Sequence, residues 1–564
     1  MRLLLLSGIL ILTACASQAP PGGGPEDKTA PTVLWSIPSG DSVRVDIHTT
    51  IQIAFSEAMN RNSTELAIFI SPLPEGDIEY RWRKNLLTLT MPSPLPTRRT
   101  CVVTVGTDAM DQHGNPLANS YSFAFSTGDS IDRGEISGHV FADRKQNVSV
   151  WAYQLTGDSM QDDSTVSRRR ADYITQIGSD GSFRLRYLAP DKYRVIAIVD
   201  LDQDYLYSSG SDPIGIAARD VDLGHMTFVE QDVDFHLSIE DTSSFVLQTA
   251  VQLDPWSLRL GFSHPLTDRY FENQLRGTRL QEHLTLVDSS TGLLVDLEEV
   301  LLNPGRMTEV FVLTKDSLHA GAYAVRASNV ISSAEDTLKS AVLNFSAEPV
   351  TRKWKTEVVS FHPAVSMRLV PGDRVTFQFS GSVNRASFER SFMLSDSNGR
   401  QVARSFDWSN SALVDFEPAR PWMDQMTYYL RVDSSVAMDW RHQTLLDTSF
   451  WSSFSAFRMD SLGVLSGMVE DEFRSNETYI IQCRPIQKQG RFVELVADST
   501  GTFSTNRLVA GRYVLEGFQD TDRNGRYSFG KIQPFHPAER FAVYPDTLVI
   551  RPNWETANVI LRFK

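Results

Sequence analysis

Short runs of alternating apolar and polar residues recur along the chain, separated by Gly, Pro, Asp and Asn. In "TIQIAFSEAM", Ile51, Ile53 and Phe55 fall on one face of an extended strand, with Gln52 and Ala54 on the other. The same period of two returns in "NLLTLTM", "CVVTVG" and "YSFAFSTG", the last presenting Tyr121, Phe123 and Phe125 to one side. Between the last two runs lies "DAMDQHGNPLANS", whose Gly114 and Asn115 supply a tight turn. Hardly any stretch has a helical period, so the pattern predicts an all-β chain. A length of 564 residues exceeds what one core can serve. At roughly 100 to 200 residues per domain it suggests about three to five domains, and the runs along the chain group into a tandem array of about five β-sandwich modules.

The first module spans 31–128. Through "IAFSEAM", "NLLTLTMPSPL", "GTDAMDQHGNPLA" and "FAFSTGD" it resembles the S-layer type of bacterial Ig-like domain. That resemblance implies a structural or spacer sandwich and brings no catalytic residues. The second module, 133–238, and the last, 462–564, are one repeat used twice: "GEISGHV" answers "GVLSGMV", Gly181 answers Gly501, and Asp200 answers Asp520. Both resemble the carboxypeptidase regulatory-like, transthyretin-like sandwich. The later copy keeps the Gly511 and Tyr513 of that family's last strand motif, whereas the earlier one has Asp191 and Tyr193. Between them, 244–348 and 355–459 read as diverged Ig-like sandwiches. Their "SLRLGFSHPL" and "RVTFQFSGSV" take the place of "IQIAFSEAM", and neither retains the D-x-x-G-N turn.

The N-terminus changes where this array is expected to act. Arg2 stands before an apolar run from Leu3 to Leu12, and small residues flank Cys15, so 1–14 reads as a secretory signal. The run is too short to span a bilayer, which takes about 20 apolar residues. "LTAC" resembles the lipobox of bacterial lipoproteins. The resemblance implies diacylglycerol on the Cys15 thiol, which becomes the first, acylated residue of the mature chain and anchors it in a membrane. Residues 15–30, rich in Pro and Gly without apolar period, form a flexible tether. Ala16 and Ser17 in place of aspartate imply, by the family rule, the outer membrane of the cell envelope.

Composition narrows the partners. The formal charge of −15 argues against nucleic acid and against a polybasic membrane contact, both of which need clustered Lys and Arg. Besides Cys15 only Cys101 and Cys483 occur, in strand-like runs far apart, so a disulfide framework is not expected.

The best candidate chemistry is "DTDRNGRY", where Asp520, Asp522 and Asn524 alternate before Gly525. Oxygen ligands on alternate residues and a glycine bend open a calcium loop, but Lys531 stands where a closing Glu is needed. The competing reading is an Asp/Asn-rich hairpin turn whose carboxylates cap their own amides. In "DLDQDYLY" the equivalent residues are Asp200, Asp202 and Asp204, with Tyr205 at the glycine position. His536 and Glu539 have the H-x-x-E spacing of zinc carboxypeptidases, yet Pro537 separates them and no third ligand region follows. H-E-x-x-H, G-x-S-x-G, Walker and Rossmann motifs are absent. Trp82, Trp256 and Trp422 are either sugar platforms or core residues. The sequence thus predicts a lipid-anchored, non-catalytic envelope scaffold with a protein or glycan partner and no required cofactor. The alternative is an adhesin or carbohydrate-binding surface lipoprotein.

Overall fold

A computed structural model describes residues 27–564 except 73, 75, 143–144, 156–164, 225–227, 267–279, 304–305, 335, 350–353, 364–367, 371, 421, 424–425, 446–447, 474–476 and 488–489. The signal segment, Cys15 and the tether up to residue 26 lie outside the described residues. Among the described residues, ten sheets form five successive pairs, and only short helices interrupt them. The chain is all-β, a tandem array of sandwiches. None of its described helices is long and apolar enough to cross a membrane, which says nothing of a β-barrel.

In the first sandwich the strands Val33–Ile37, Ile51–Phe55, Leu86–Thr90 and Glu79–Arg83 form one sheet in that order. Ile68–Ser71, Thr100–Val105 and Tyr121–Ser126 form the other. The alternation in the sequence is the cause: Ile51, Ile53 and Phe55 turn inward and meet Val103, Val105, Phe123 and Phe125 of the facing sheet. The fourth sandwich repeats this plan around Phe377, Phe379, Phe416 and Leu430. The second and fifth sandwiches share a different order, in which a late strand lies parallel to the opening one. Phe235–His236 pairs with Gly134–Phe141 in the second, and Glu555–Phe563 with Leu462–Asp471 in the fifth. Tyr193 and Tyr513 also occupy matching places, each phenol donating 2.8 Å to a carbonyl four residues earlier.

The chain forms two compact units. One holds the first two sandwiches with residues 528–539, and the other holds the third, fourth and fifth without them. Within the first unit, hydrogen bonds centred on Gln176 and its neighbour Ile177 join the sandwiches. The Gln176 side-chain oxygen accepts from the Asp108 amide (2.9 Å) while its amide donates to the Asp108 carboxylate. Ser120 and Thr107 hydroxyls donate to the Gln176 and Ile177 carbonyls at 2.8 and 3.1 Å.

Within the second unit, charged groups join them. Arg441 of the fourth sandwich donates to the Asp254 carboxylate of the third (2.6 Å) and to the Trp354 carbonyl (3.1 Å). The Asp254 side chain is fully buried. Phe311 packs against Trp354 at 5.1 Å, so the third sandwich's outer face runs into the core of the fourth. Asp373 of the fourth is held by both guanidinium nitrogens of Arg491 and by Arg507, two residues of the fifth. Removing one partner from a buried ion pair leaves a charge without compensation, so each junction depends on both of its partners.

Candidate functional site

The predicted calcium turn folds as a self-capped loop. The backbone amide of Asn524 donates to Asp520 Oδ1 and to Asp522 Oδ1, each at 2.9 Å, and the Gly525 amide donates to Asp520 Oδ2 at 3.2 Å. The Asn524 side chain presents its nitrogen to Asp522 Oδ2 (2.6 Å), while its oxygen accepts from the Arg526 amide (2.6 Å). Asp520 and Asp522 come together, their oxygens within 4.8 Å, but the Asn524 oxygen is turned to the backbone. Gly525 takes φ 76°, the left-handed bend the sequence anticipates. Burial raises the Asp520 carboxyl above its ordinary value, the Gly525 and Asn524 amides oppose this, and the Asp522 charge adds to it.

The matching turn of the second sandwich shows what the motif does without glycine. Asp200 accepts from the Gln203 amide (2.8 Å) and the Tyr205 amide (2.9 Å), and Tyr205 takes φ 65°. The same loop therefore closes around its first aspartate in both copies. Capping of its own amides is common to the two, and the glycine is dispensable to it.

A second aspartate turn was only partly legible. In the first sandwich Asp111, whose side chain is fully buried, accepts from the His113 amide (2.7 Å), the Asn115 amide (2.8 Å) and the Asn115 side chain (2.8 Å). Burial pushes this carboxyl up, and the bonds from Asn115 and His113 more than offset it, so it sits below the ordinary range. Asp27 and Glu57 gather at the same place, with His113 Nδ1 at 3.7 Å from Asp27. Glu57 is raised by burial and by the charges of Asp111 and Asp27.

The fourth sandwich, where the D-x-x-G-N pattern is missing, builds the same turn. Asp439 accepts from the Arg441 and Gln443 amides, both at 2.9 Å, and His442 takes φ 60° where the first sandwich has Gly114 at 87°. The likeness extends outward. Asn60 and Asn384 cap the short helices Arg61–Leu66 and Arg385–Ser391, accepting from the Ser63 and Ser387 amides. Trp82 and Trp408 each donate an indole N–H to a helix glutamate, Glu65 (2.6 Å) and Glu389 (2.8 Å). The signal that was available is the shared tripeptide Ala-Met-Asp at 109–111 and 437–439.

These two sandwiches are also the ones a known family matches. The bacterial Ig-like domain family covers residues 27–127 and 354–456. Those two stretches are similar to bacterial Ig-like domains. Among solved structures, the N-terminal part of the bacterial S-layer protein SbsC is 11% identical, over 38% of this chain and 44% of that one, with a TM-score of 0.17. The chain thus covers less than half of that protein. The Bacillus cereus major pilin subunit BcpA is 9% identical over 77% of this chain and 99% of its own, TM-score 0.14. A Mycobacterium smegmatis L,D-transpeptidase is 16% identical over 37% and 90%, TM-score 0.16. No curated protein matches the chain.

The remaining candidates separate. His536 is exposed and paired through its backbone with Lys531, whereas the buried Glu539 carboxylate accepts from the Ser528 amide (3.1 Å). Neither joins a His- or Cys-bearing cluster among the described residues. Trp82 stacks on Phe55, Trp256 lies 5.7 Å from the Arg441 guanidinium, and Trp422 is buried and donates to the Asp373 carbonyl (2.9 Å). All three serve packing or junctions. The exposed tryptophans among the described residues are Trp35, Trp451 and Trp554. Cys101 and Cys483 are buried thiols whose pKa burial pushes up to about 11 and about 12, so both stay protonated and unreactive.

Proposed function

We propose that the chain is a lipid-anchored, non-catalytic lipoprotein of the cell envelope that acts as a structural or protein-interaction scaffold. Cys15 carries the lipid, residues up to about 30 form the leash, and the sandwiches hold a partner at the outer membrane. The observation that carries this reading is the pair of charged junctions, Asp254 with Arg441 and Asp373 with Arg491 and Arg507. They fix successive sandwiches where a set of independently tumbling domains would leave flexible linkers. The second and fifth sandwiches, with their shared strand order, fit the regulatory-like resemblance of their sequences.

No cofactor is required in this role. Asp520, Asp522 and Asn524 are already engaged with backbone amides, and calcium there is an addition to a turn that folds without it. A glycan-binding alternative keeps one observation in its favour: Trp451 stands 64% exposed on a sheet face with the Arg431 guanidinium 4.9 Å from its ring.

Labelled palmitate and a pull-down from detergent-solubilised membranes test the proposal together. Wild-type chain takes up the label and co-purifies an envelope protein in stoichiometric amount, and Cys15→Ser loses the label and leaves the membrane fraction. Glycan-array binding abolished by Trp451→Ala, with no co-purifying protein, would favour the adhesin.

A further inference from the structure

The open edges of the first two sandwiches converge around a cavity of about 430 Å³. Four strands that end their sheets border it: Ile68–Ser71 and Glu79–Arg83 of the first sandwich, Tyr173–Gln176 and Ser182–Leu188 of the second. Among the described residues, each of these strands is paired with another strand on one side only, and on the other side of Tyr173–Gln176 the Ser120 hydroxyl takes the Gln176 N–H and C=O, which leaves Ile174 as the open position of that edge. Ile68 through Ser71 line the space without a gap, as do Arg170 through Thr175. Since neighbouring strand residues point to opposite faces, consecutive lining means that the main-chain edge itself borders the cavity.

Three features define what fits. The walls are apolar and aromatic: Phe69, Tyr80, Ile174 and Leu185, with Tyr205 edge-on to Phe69 at 6.2 Å. The Thr175 hydroxyl, on a residue only 1% exposed, has no hydrogen-bond partner among the described residues. Glu65 and Arg170 bring both signs of charge to the lining. An acyl chain would dry the strand edges while offering them no hydrogen bond, an unfavourable exchange. A saccharide would set hydroxyls against the aliphatic walls. An extended peptide satisfies both, with main-chain groups for the edges and side chains for the walls.

We propose that this cavity receives an extended segment of a partner protein, carrying aliphatic side chains and pairing its main chain with the open edges. The four residues Ile68–Ser71 span roughly 13 Å at about 3.3 Å per residue, which accommodates about four residues of strand. This deepens the scaffold reading and rests on it, because it names the surface that docks the partner.

The test selects a displayed library of random octapeptides against the full chain and measures the affinity of the enriched peptide after synthesis. The expected result is an enriched peptide with alternating aliphatic residues. Its affinity falls at least tenfold with Ile174→Trp, at a half-buried residue of the cavity wall, and with Leu66→Glu at the exposed rim. It falls equally when alternate peptide amides are N-methylated, and it is unchanged by Leu294→Glu in the third sandwich. Circular dichroism melts establish that Ile174→Trp is folded, and Leu66→Glu, an exposed change, carries the test if it is not. Absence of any enriched peptide, indifference to both substitutions, indifference to N-methylation, or displacement of the peptide by cis-parinaric acid would each overturn the proposal. If selection fails while an envelope protein still co-purifies, the site falls and the scaffold stands. If the peptide binds and no protein co-purifies, the site stands and the scaffold falls.

Discussion

The first and fourth sandwiches build one aspartate turn and use it in different ways. Asp111 and Asp439 each close the loop by accepting from the amides two and four residues on. In the first sandwich the second residue after the aspartate is His113, exposed beside Asp27 and Asp111. In the fourth it is Arg441, which reaches across to the buried Asp254 and fastens the third sandwich to the fourth. The carboxylate sets the geometry of the loop, and the side chain two positions later decides whether the loop ends at the surface or becomes a junction.

Asp254→Ala breaks the comparison hardest. It takes the shorter of two carboxylate partners from Arg441 in a nearly buried place and leaves Asp439 at 3.5 Å, so the loss stays below that of a fully orphaned buried charge, at about 2 to 4 kcal/mol. Hydrogen exchange of the strand Leu247–Asp254 reads this as a fall in its opening free energy, while Ile51–Phe55 is unaffected. Removing the turn aspartates comes next. Asp111→Ala and Asp439→Ala each leave amides without acceptors and cost about 1 to 3 kcal/mol, read as exchange in the loops themselves. Because Asp439 also positions Arg441, its substitution loosens the third sandwich too, and Asp111→Ala has no such second effect.

Acid separates the Gln176–Asp108 junction from the Asp373 one, with opposite signs. Burial raises the Asp108 carboxyl, and the Gln176 bond only partly opposes it. A group that is harder to ionise in the folded protein favours folding as pH falls through that raised value, with the full gain below about 3.8, its ordinary pKa. At Asp373 burial pushes the same way, but Arg491, the Val370 amide and Arg507 prevail and hold it low. Its contribution is complete above about 3.8 and disappears as pH falls through the depressed value. Exchange of Tyr173–Gln176 therefore slows, relative to intrinsic rates, between pH 7 and 4, while that of Thr502–Val509 quickens below 4. Asp373→Asn removes the second response.

The smallest effects sharpen the contrast from the other side. His113→Ala, at an exposed place, changes stability by no more than about 0.5 kcal/mol, against the several expected for Arg441→Ala. Calcium at about 1 mM moves the melting temperature by less than about 1 °C, since Asp520 and Asp522 already cap the turn; a larger shift removed by Asp520→Asn would establish a cation site.

The all-β class was legible because burial follows the alternation directly, as at Ile51, Ile53 and Phe55. The Asp520 turn was legible as a turn, since its residues act within one loop. The Asp439 turn escaped a search for D-x-x-G-N because His442 bears the left-handed conformation expected of glycine and Gln443 replaces asparagine. The Asp254–Arg441 pair joins residues 187 positions apart, and no local pattern announces it. The cavity depends on which strands end their sheets, a property of topology that alternation does not carry.

A double-mutant cycle on Asp254 and Arg441, read by hydrogen exchange of Leu247–Asp254 in the full chain, tests the central claim most directly. If the Arg441 turn clamps the third sandwich to the fourth, Asp254→Ala combined with Arg441→Ala costs hardly more than the worse single change, giving a coupling of about 2 kcal/mol or more. Additivity within about 0.5 kcal/mol would contradict it.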